Sequence, residues 1–291
     1  ACRLSTTLLG LCHAEPCHQL GSEQHFCKIS SNGQIYLINP NGIYFSPTAR
    51  ADVGGLVATT HAMSDTDFMS GGTTFTRDGA TGKVVNEGVL HAHMGGYIAL
   101  LAPEVRNAGI IVAKSGTIAL AAGDAVTLNV DANNSLTNLL VKPSTLQALV
   151  ENQKVVKALD GQVIVSAQAY NEIATGVINN AGEISATGIT KKGGNIVLGA
   201  SSAVNLTGKL DVSSKAGNGG TVKIEAKTVT QSGVVKADST AVNGKGGQIT
   251  LTGDMLALKA GSTLSANGTN GGGKILVGGD WQGSNGVRQA Q

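Results

Sequence analysis

The stretch GGTVKI (219–224) is preceded by GGNIVL (193–198) and followed by GGQITL (246–251) and GGKILV (272–277). The glycines Gly194, Gly220, Gly247 and Gly273 stand 26, 27 and 26 residues apart, so one architectural unit is repeated. After each glycine the apolar residues alternate, as Ile196 and Leu198, Val222 and Ile224, Ile249 and Leu251, Ile275 and Val277. Period-two alternation turns that row inward on a strand and leaves Lys223, Thr250 and their equivalents outward. A unit of this size cannot close a core alone. Stacking such units about 4.8 Å apart gives an all-β fold, a right-handed parallel β-helix.

Upstream the same pattern is looser. VVNEGVLHAHMGGYIALLAPE (84–104) is followed by VRNAGIIVAKSGTIALAAGD (105–124), and VINNAGEISATGITKKGGNIVLGA (177–200) comes later. In these units Asn86, Asn107 and Asn180 fall just before Ala-Gly or Glu-Gly. Asn tolerates left-handed backbone and bonds to its own neighbours, which suits a coil corner, and stacked Asn side chains can form a ladder. Two segments break the repeat. Thr60 to Gly82 reads as an excursion from the rod with a small hairpin around Gly71-Gly72. PSTLQALVEN (143–152) reads as one short helix, with Ser144 as N-cap and Gln147 in capping-box spacing.

Composition fits this reading. The 291 residues include 41 Gly and only 3% aromatic and 14% charged residues, which suits short strands packing small side chains in thin layers. A formal charge of +2 creates no field that would draw nucleic acid or an anionic membrane, and no apolar run approaches the roughly 18 residues of a membrane span. Cys2, Cys12, Cys17 and Cys27 all precede residue 28, interleaved with His13, His18 and His25. They lack the short knuckle spacings of structural zinc sites; disulfides and a segment foreign to the fold are the other readings of residues 1–30.

Catalytic and metal chemistry find little footing. GTNGGGKI (268–275) has phosphate-loop spacing but Ile275 where Ser or Thr should hold magnesium, and strand rather than helix follows. Asp65 and Asp67 could form a carboxylate pair but read better as a solvated loop, and His91 and His93 share a strand face without an evident third ligand. No nucleophile, base and orienting group come together, so no enzyme, cofactor or metal is expected. The remaining candidate is Asn39-Pro40-Asn41-Gly42, set between Ile35-Tyr36-Leu37-Ile38 and Ile43-Tyr44-Phe45. Asn first, Pro second and Gly fourth are the preferences of a type I turn.

Five stretches carry a family resemblance: SNGQIYLINPNGIYFSPTARADVGGLVATT (31–60), SDTDFMSGGTTF (64–75), VVNEGVLHAHMGGYIALLAPEVRNAGIIVA (84–113), GTIALAAGDAVTL (116–128) and GGGKILVGGDWQG (271–283). From about Ser31 to Gln282 the chain resembles the haemagglutination-activity domain of filamentous-haemagglutinin-type exoproteins, exported by two-partner secretion. The resemblance implies a β-helical domain over residues 31–291 and a protein secreted through the periplasm to the cell surface. It also implies a secretion determinant at Asn39, Pro40, Asn41, Gly42 and Ile43, recognised by the periplasmic domains of an outer-membrane transporter. The implied roles are adhesion to host cells through a receptor or glycan, biofilm formation, or presentation of a toxic C-terminus to neighbours. A truncated, non-exported remnant and a polysaccharide-active β-helix enzyme are the alternative readings.

Overall fold

The computed structural model describes the backbone of residues 3–6, 13–16 and 24–27 and the full residues 28–170 and 174–278. These residues form a parallel β-helix of triangular section, each coil passing through three strands. The first face stacks 43–45, Lys83–Asn86, Glu104–Asn107, Ala148–Asn152, Gly176–Asn180, Ala203–Leu206, Thr228–Gln231 and Met255–Leu258 in parallel register. The second runs from 28–31 through Ile110–Ala113, Val155–Lys157, Glu183–Ser185, Lys209–Asp211 and Val234–Lys236 to Thr263–Ser265. The third runs from 34–38 through Thr117–Ala122, Gln162–Ala167, Asn195–Ala200, Thr221–Glu225 and Gln248–Thr252 to Lys274–Val277. At the other end, Arg3–Thr6 and His13–Pro16 pair antiparallel with the strand Gln24–Ile38.

The repeated glycines mark one corner, the entry to the third face. A Cβ on Gly96 would lie 2.0 Å from the Gly54 carbonyl oxygen, one on Gly194 1.9 Å from that of Gly161, and one on Gly220 2.0 Å from that of Gly194. Gly116, Gly161, Gly247 and Gly273 repeat the contact, so the residue is fixed here by the close approach of stacked backbones. Inside, Ile196, Leu198, Val222, Ile224, Ile249 and Leu251 are fully buried, as the alternation requires, whereas Ile275 and Val277, of the same row on the last described coil, are exposed. Lys223 is exposed, but Thr250 is only 6 % exposed although expected outward. Its outward position is flanked in register by Lys223 and Leu276 on the neighbouring coils.

Asparagines line a second corner from inside. The Asn86 amide donates to Asn107 (2.8 Å), Asn107 to Asn152 (2.8 Å) and Asn152 to Asn180 (2.7 Å), all buried. The ladder ends where Phe45 stands in register with Asn86 and Leu206 with Asn180. Asn152 was not among the corner residues expected from sequence, because no Ala-Gly follows it.

Both breaks in the repeat differ from expectation. PSTLQALVEN holds no helix: Ala148–Asn152 is a strand between Glu104–Asn107 and Gly176–Asn180. Ala148, Val150 and Asn152 point inward, and stacking on both neighbours outweighs the local capping signal. The Ser144 hydroxyl accepts from the Leu146 amide and donates to Asp124 instead of capping a helix. The short helix is Asp65–Met69, and Gly71-Gly72 follows it as the turn out of the helix, not as a hairpin tip. Ser64 caps it, accepting from the Asp67 amide and donating to the Asp67 carboxylate.

A three-stranded antiparallel sheet covers part of the third face. Thr74–Thr76 and Leu136–Lys142 flank Ala125–Val130. The outward residues beneath it are Val57, Tyr97, Ala99, Leu101, Ala119, Ala121 and Ile164, packed against Phe75, Val126, Leu128, Leu136 and Leu139. Further along the rod the same outward rows become Thr221, Lys223 and Glu225, and the cover ends.

Asn107→Ala should lower stability by about 2–4 kcal/mol, because it leaves the Asn86 donor and the Asn152 acceptor buried without their ladder partners. Asn180→Leu should cost about half of that or less, since Leu206 already follows it on the next coil. Urea unfolding of the two variants checks the ranking.

Candidate functional site

The tetrad Asn39-Pro40-Asn41-Gly42 joins the third face of one coil to the first face of the next. The Gly42 amide donates to the Asn39 carbonyl at 3.1 Å, closing the turn, and the Asn41 amide donates to Asn39 Oδ1 at 3.2 Å. Gly42 takes φ +132°, in the region that favours glycine. Ile43 is buried with Phe45 in the core.

The turn is held from two sides. The Asn39 amide donates to the Thr59 carbonyl at 3.0 Å. Gly82, where the excursion returns to the rod, packs against the other side. A Cβ there would lie 2.5 Å from the Pro40 oxygen, 2.6 Å from the Asn41 carbonyl carbon and 2.7 Å from the Gly42 nitrogen. The five residues expected to act together therefore divide. Asn39, Gly42 and Ile43 are buried and build the corner, whereas Pro40 and Asn41 are exposed and form its tip. Nothing in the sequence tied Gly82 to the tetrad, since it lies forty residues after Gly42 and only the fold brings the two together. Asn86, Asn107 and Asn180 lie in the interior ladder and offer nothing to a partner.

The residues weighed for chemistry have structural employment. Asp67 is engaged with Ser64 at the helix start, and Asp65 lies in the same first turn. His91 Nδ1 and His93 Nε2 both approach Asp52 Oδ1, at 2.7 and 3.2 Å. The hydrogen bond from His91 is the main reason that the Asp52 carboxyl is held below its usual range. Asp52 lies one coil away, so its partnership with the two histidines was invisible in their local spacing. Among the described residues no group of three His, Cys, Asp or Glu side chains is placed to hold a metal ion. The side chains of Cys2, Cys12, Cys17, Cys27, His13, His18 and His25 lie outside the described residues. GTNGGGKI is a coil corner leading into the strand Lys274–Val277.

One groove of about 860 Å³ opens between the helix Asp65–Met69, the tip of the covering hairpin and the corners of the first coils. Met69 and Met94 are exposed at its rim, and the Tyr36 and Tyr97 hydroxyls lie 3.5 Å apart within it. Burial pushes the Tyr97 hydroxyl far above its ordinary pKa, so it remains protonated.

Comparison with known proteins bears on this arrangement. Residues 28–212 match the family described as TPS secretion domain. A heme/hemopexin-binding protein of Haemophilus influenzae strain Rd is 29% identical over 236 residues, covering 78% of this chain and 25% of that protein. A second protein of that name from Haemophilus influenzae is 28% identical over 258 residues, covering 78% of this chain and 27% of its own length. This chain thus spans about a quarter of those curated relatives. The crystal structure of the HMW1 secretion domain from Haemophilus influenzae superposes with a TM-score of 0.54 at 18% identity, covering 95% of this chain and 99% of that one. The likeness to HMW1 is one of fold.

Gly82→Ala should destabilise the protein by about 2 kcal/mol or more, because the new methyl meets backbone atoms of three tetrad residues. Thr81→Ala, one exposed residue earlier, should change stability by less than about 0.5 kcal/mol. Chemical denaturation of both variants measures the difference.

Proposed function

We infer that this chain, which belongs to the TPS secretion-domain family, directs export by presenting the Pro40-Asn41 tip to an outer-membrane two-partner secretion transporter. The observation that carries the reading is the division within the tetrad. Asn39 is spent on holding the turn and Gly42 and Ile43 are buried, so the two remaining residues are exposed on a preorganised corner. A rigid tip loses little conformational entropy on docking, which favours recognition by a partner that meets the domain folded. The transporter's periplasmic domains are the proposed readers, and the proposed route is through the periplasm to the outside.

For the exported protein as a whole, the proposal is a non-enzymatic surface role, adhesin- or haemagglutinin-like, with a host-cell receptor or glycan as partner. The engagement of Asp65 and Asp67 in and around a helix cap supports that reading over carbohydrate cleavage.

The test joins the domain to a secretion signal peptide and co-expresses it with its transporter. Asn41→Ala should lower secretion at least several-fold while changing stability by no more than about 1 kcal/mol, since its side chain is exposed. Asn39→Ala should also lower stability, by about 1–2 kcal/mol, because it removes the acceptor of the Asn41 amide from a buried site. Unchanged export with both Pro40 and Asn41 replaced by alanine would refute recognition at the tip.

A further inference from the structure

We propose that His61 is an acid-sensitive latch that holds the covering sheet closed over the third face of the rod. His61 stands at the root of the first excursion and is fully buried. Its Nε2 lies 2.8 Å from the Gly123 carbonyl oxygen, at the root of the second excursion. A carbonyl only accepts, so Nε2 carries the proton and donates, which leaves Nδ1 as a bare acceptor in the neutral ring. Among the described residues Nδ1 has no hydrogen-bond partner, and neither has the neighbouring Thr60 hydroxyl. The bond therefore joins the start of the segment that supplies Thr74–Thr76 to the start of the hairpin Ala125–Lys142.

Burial, more than the neighbouring groups, works against a second proton on the ring. Burial is the largest influence and pushes the His61 pKa below its ordinary value; the Gly123 and Leu101 carbonyls oppose it, Arg77 reinforces it and Asp124 opposes it. Arg77 and Asp124 are themselves paired at 2.7 Å, beside His61. Burial also works against the charge on Asp124, but hydrogen bonds from Arg77 and Ser144 outweigh it and hold that carboxyl below the usual range. Asp124 thus stays charged throughout the window in which histidine titrates, and is not a competing trigger.

The direction of the effect follows from linkage. With the sheet closed His61 resists protonation, and with the sheet open its ring regains an ordinary pKa near 6.5. The contribution of His61 to closure is complete above that value and is lost as pH falls below it, by at most about tenfold in the closing equilibrium per pH unit. Opening would bare Val57, Tyr97, Ala99, Leu101, Ala119 and Ala121, an apolar face otherwise sealed from water.

Amide hydrogen exchange on the full chain at pH 7.5 and 5.0, corrected for intrinsic rates, tests the latch. Protection in 74–76 and 125–142 should fall at least about fivefold more than protection in 196–224. In His61→Gln, whose amide can still donate to Gly123, this extra loss should vanish. An equal fall in both regions, or an unchanged extra loss in the Gln variant, would overturn the proposal. If that variant fails to fold, exchange of the imidazole C2 hydrogen in the wild-type protein decides. A His61 profile shifted below that of a free histidine peptide supports the latch, and a coincident profile overturns it.

Discussion

Coils of a parallel β-helix must lie about 4.8 Å apart along their whole perimeter, including the corners where the chain changes direction. Strands meet that spacing easily, since their side chains stand out of the sheet plane. Corners meet it only where nothing projects along the axis. The file from Gly54 through Gly96, Gly116 and Gly161 to Gly273 satisfies that demand, with each backbone close enough to its neighbour to exclude a methyl group. The rest of the rod depends on it. With the corners in register, Ile196 stacks on Val222 and Val222 on Ile249, and a thin core of small aliphatic residues is continuous from coil to coil.

That demand is also why the repeat could be read without a structure. Glycine spacing and period-two alternation are local properties, repeated often enough to reveal the stacking. The segment at 143–152 shows the limit of such reading. Its capping-box spacing is a real local preference, but Val150 and Asn152 have partners 45 residues before and 28 residues after them, in Val105 and Asn107 and in Ile178 and Asn180. The covering hairpin was missed for a similar reason. Its turn signal, with Asp131 accepting from the Asn133 and Ser135 amides, is clear in hindsight, yet its place over the rod is set by the outward alanines of other coils.

At the candidate site, turn chemistry predicted the shape of the tetrad. The roles of its residues required the fold, because Gly82 and Thr59 clamp it from distant points in the chain. Exposure then separates Pro40 and Asn41 from three neighbours that a motif treats as equivalent. The same separation holds for the asparagines at 86, 107 and 180, which share a residue type with the tip but lie in the interior.

The interior asparagines have one further property. All three amide-to-amide bonds of the ladder run the same way, the NH2 on the N-terminal coil donating to the oxygen on the next. Turning a single side chain over would set NH2 against NH2 on one side and oxygen against oxygen on the other. The four groups therefore share one polarity, reversed together or not at all, and their aligned dipoles reinforce one another in a medium of low dielectric constant. The Gly88 amide donates to Asn86 Oδ1 at one end and Asn180 donates to the Gly182 carbonyl at the other, so the backbone selects which polarity is kept. A rod built of nearly interchangeable coils thereby carries an internal arrow.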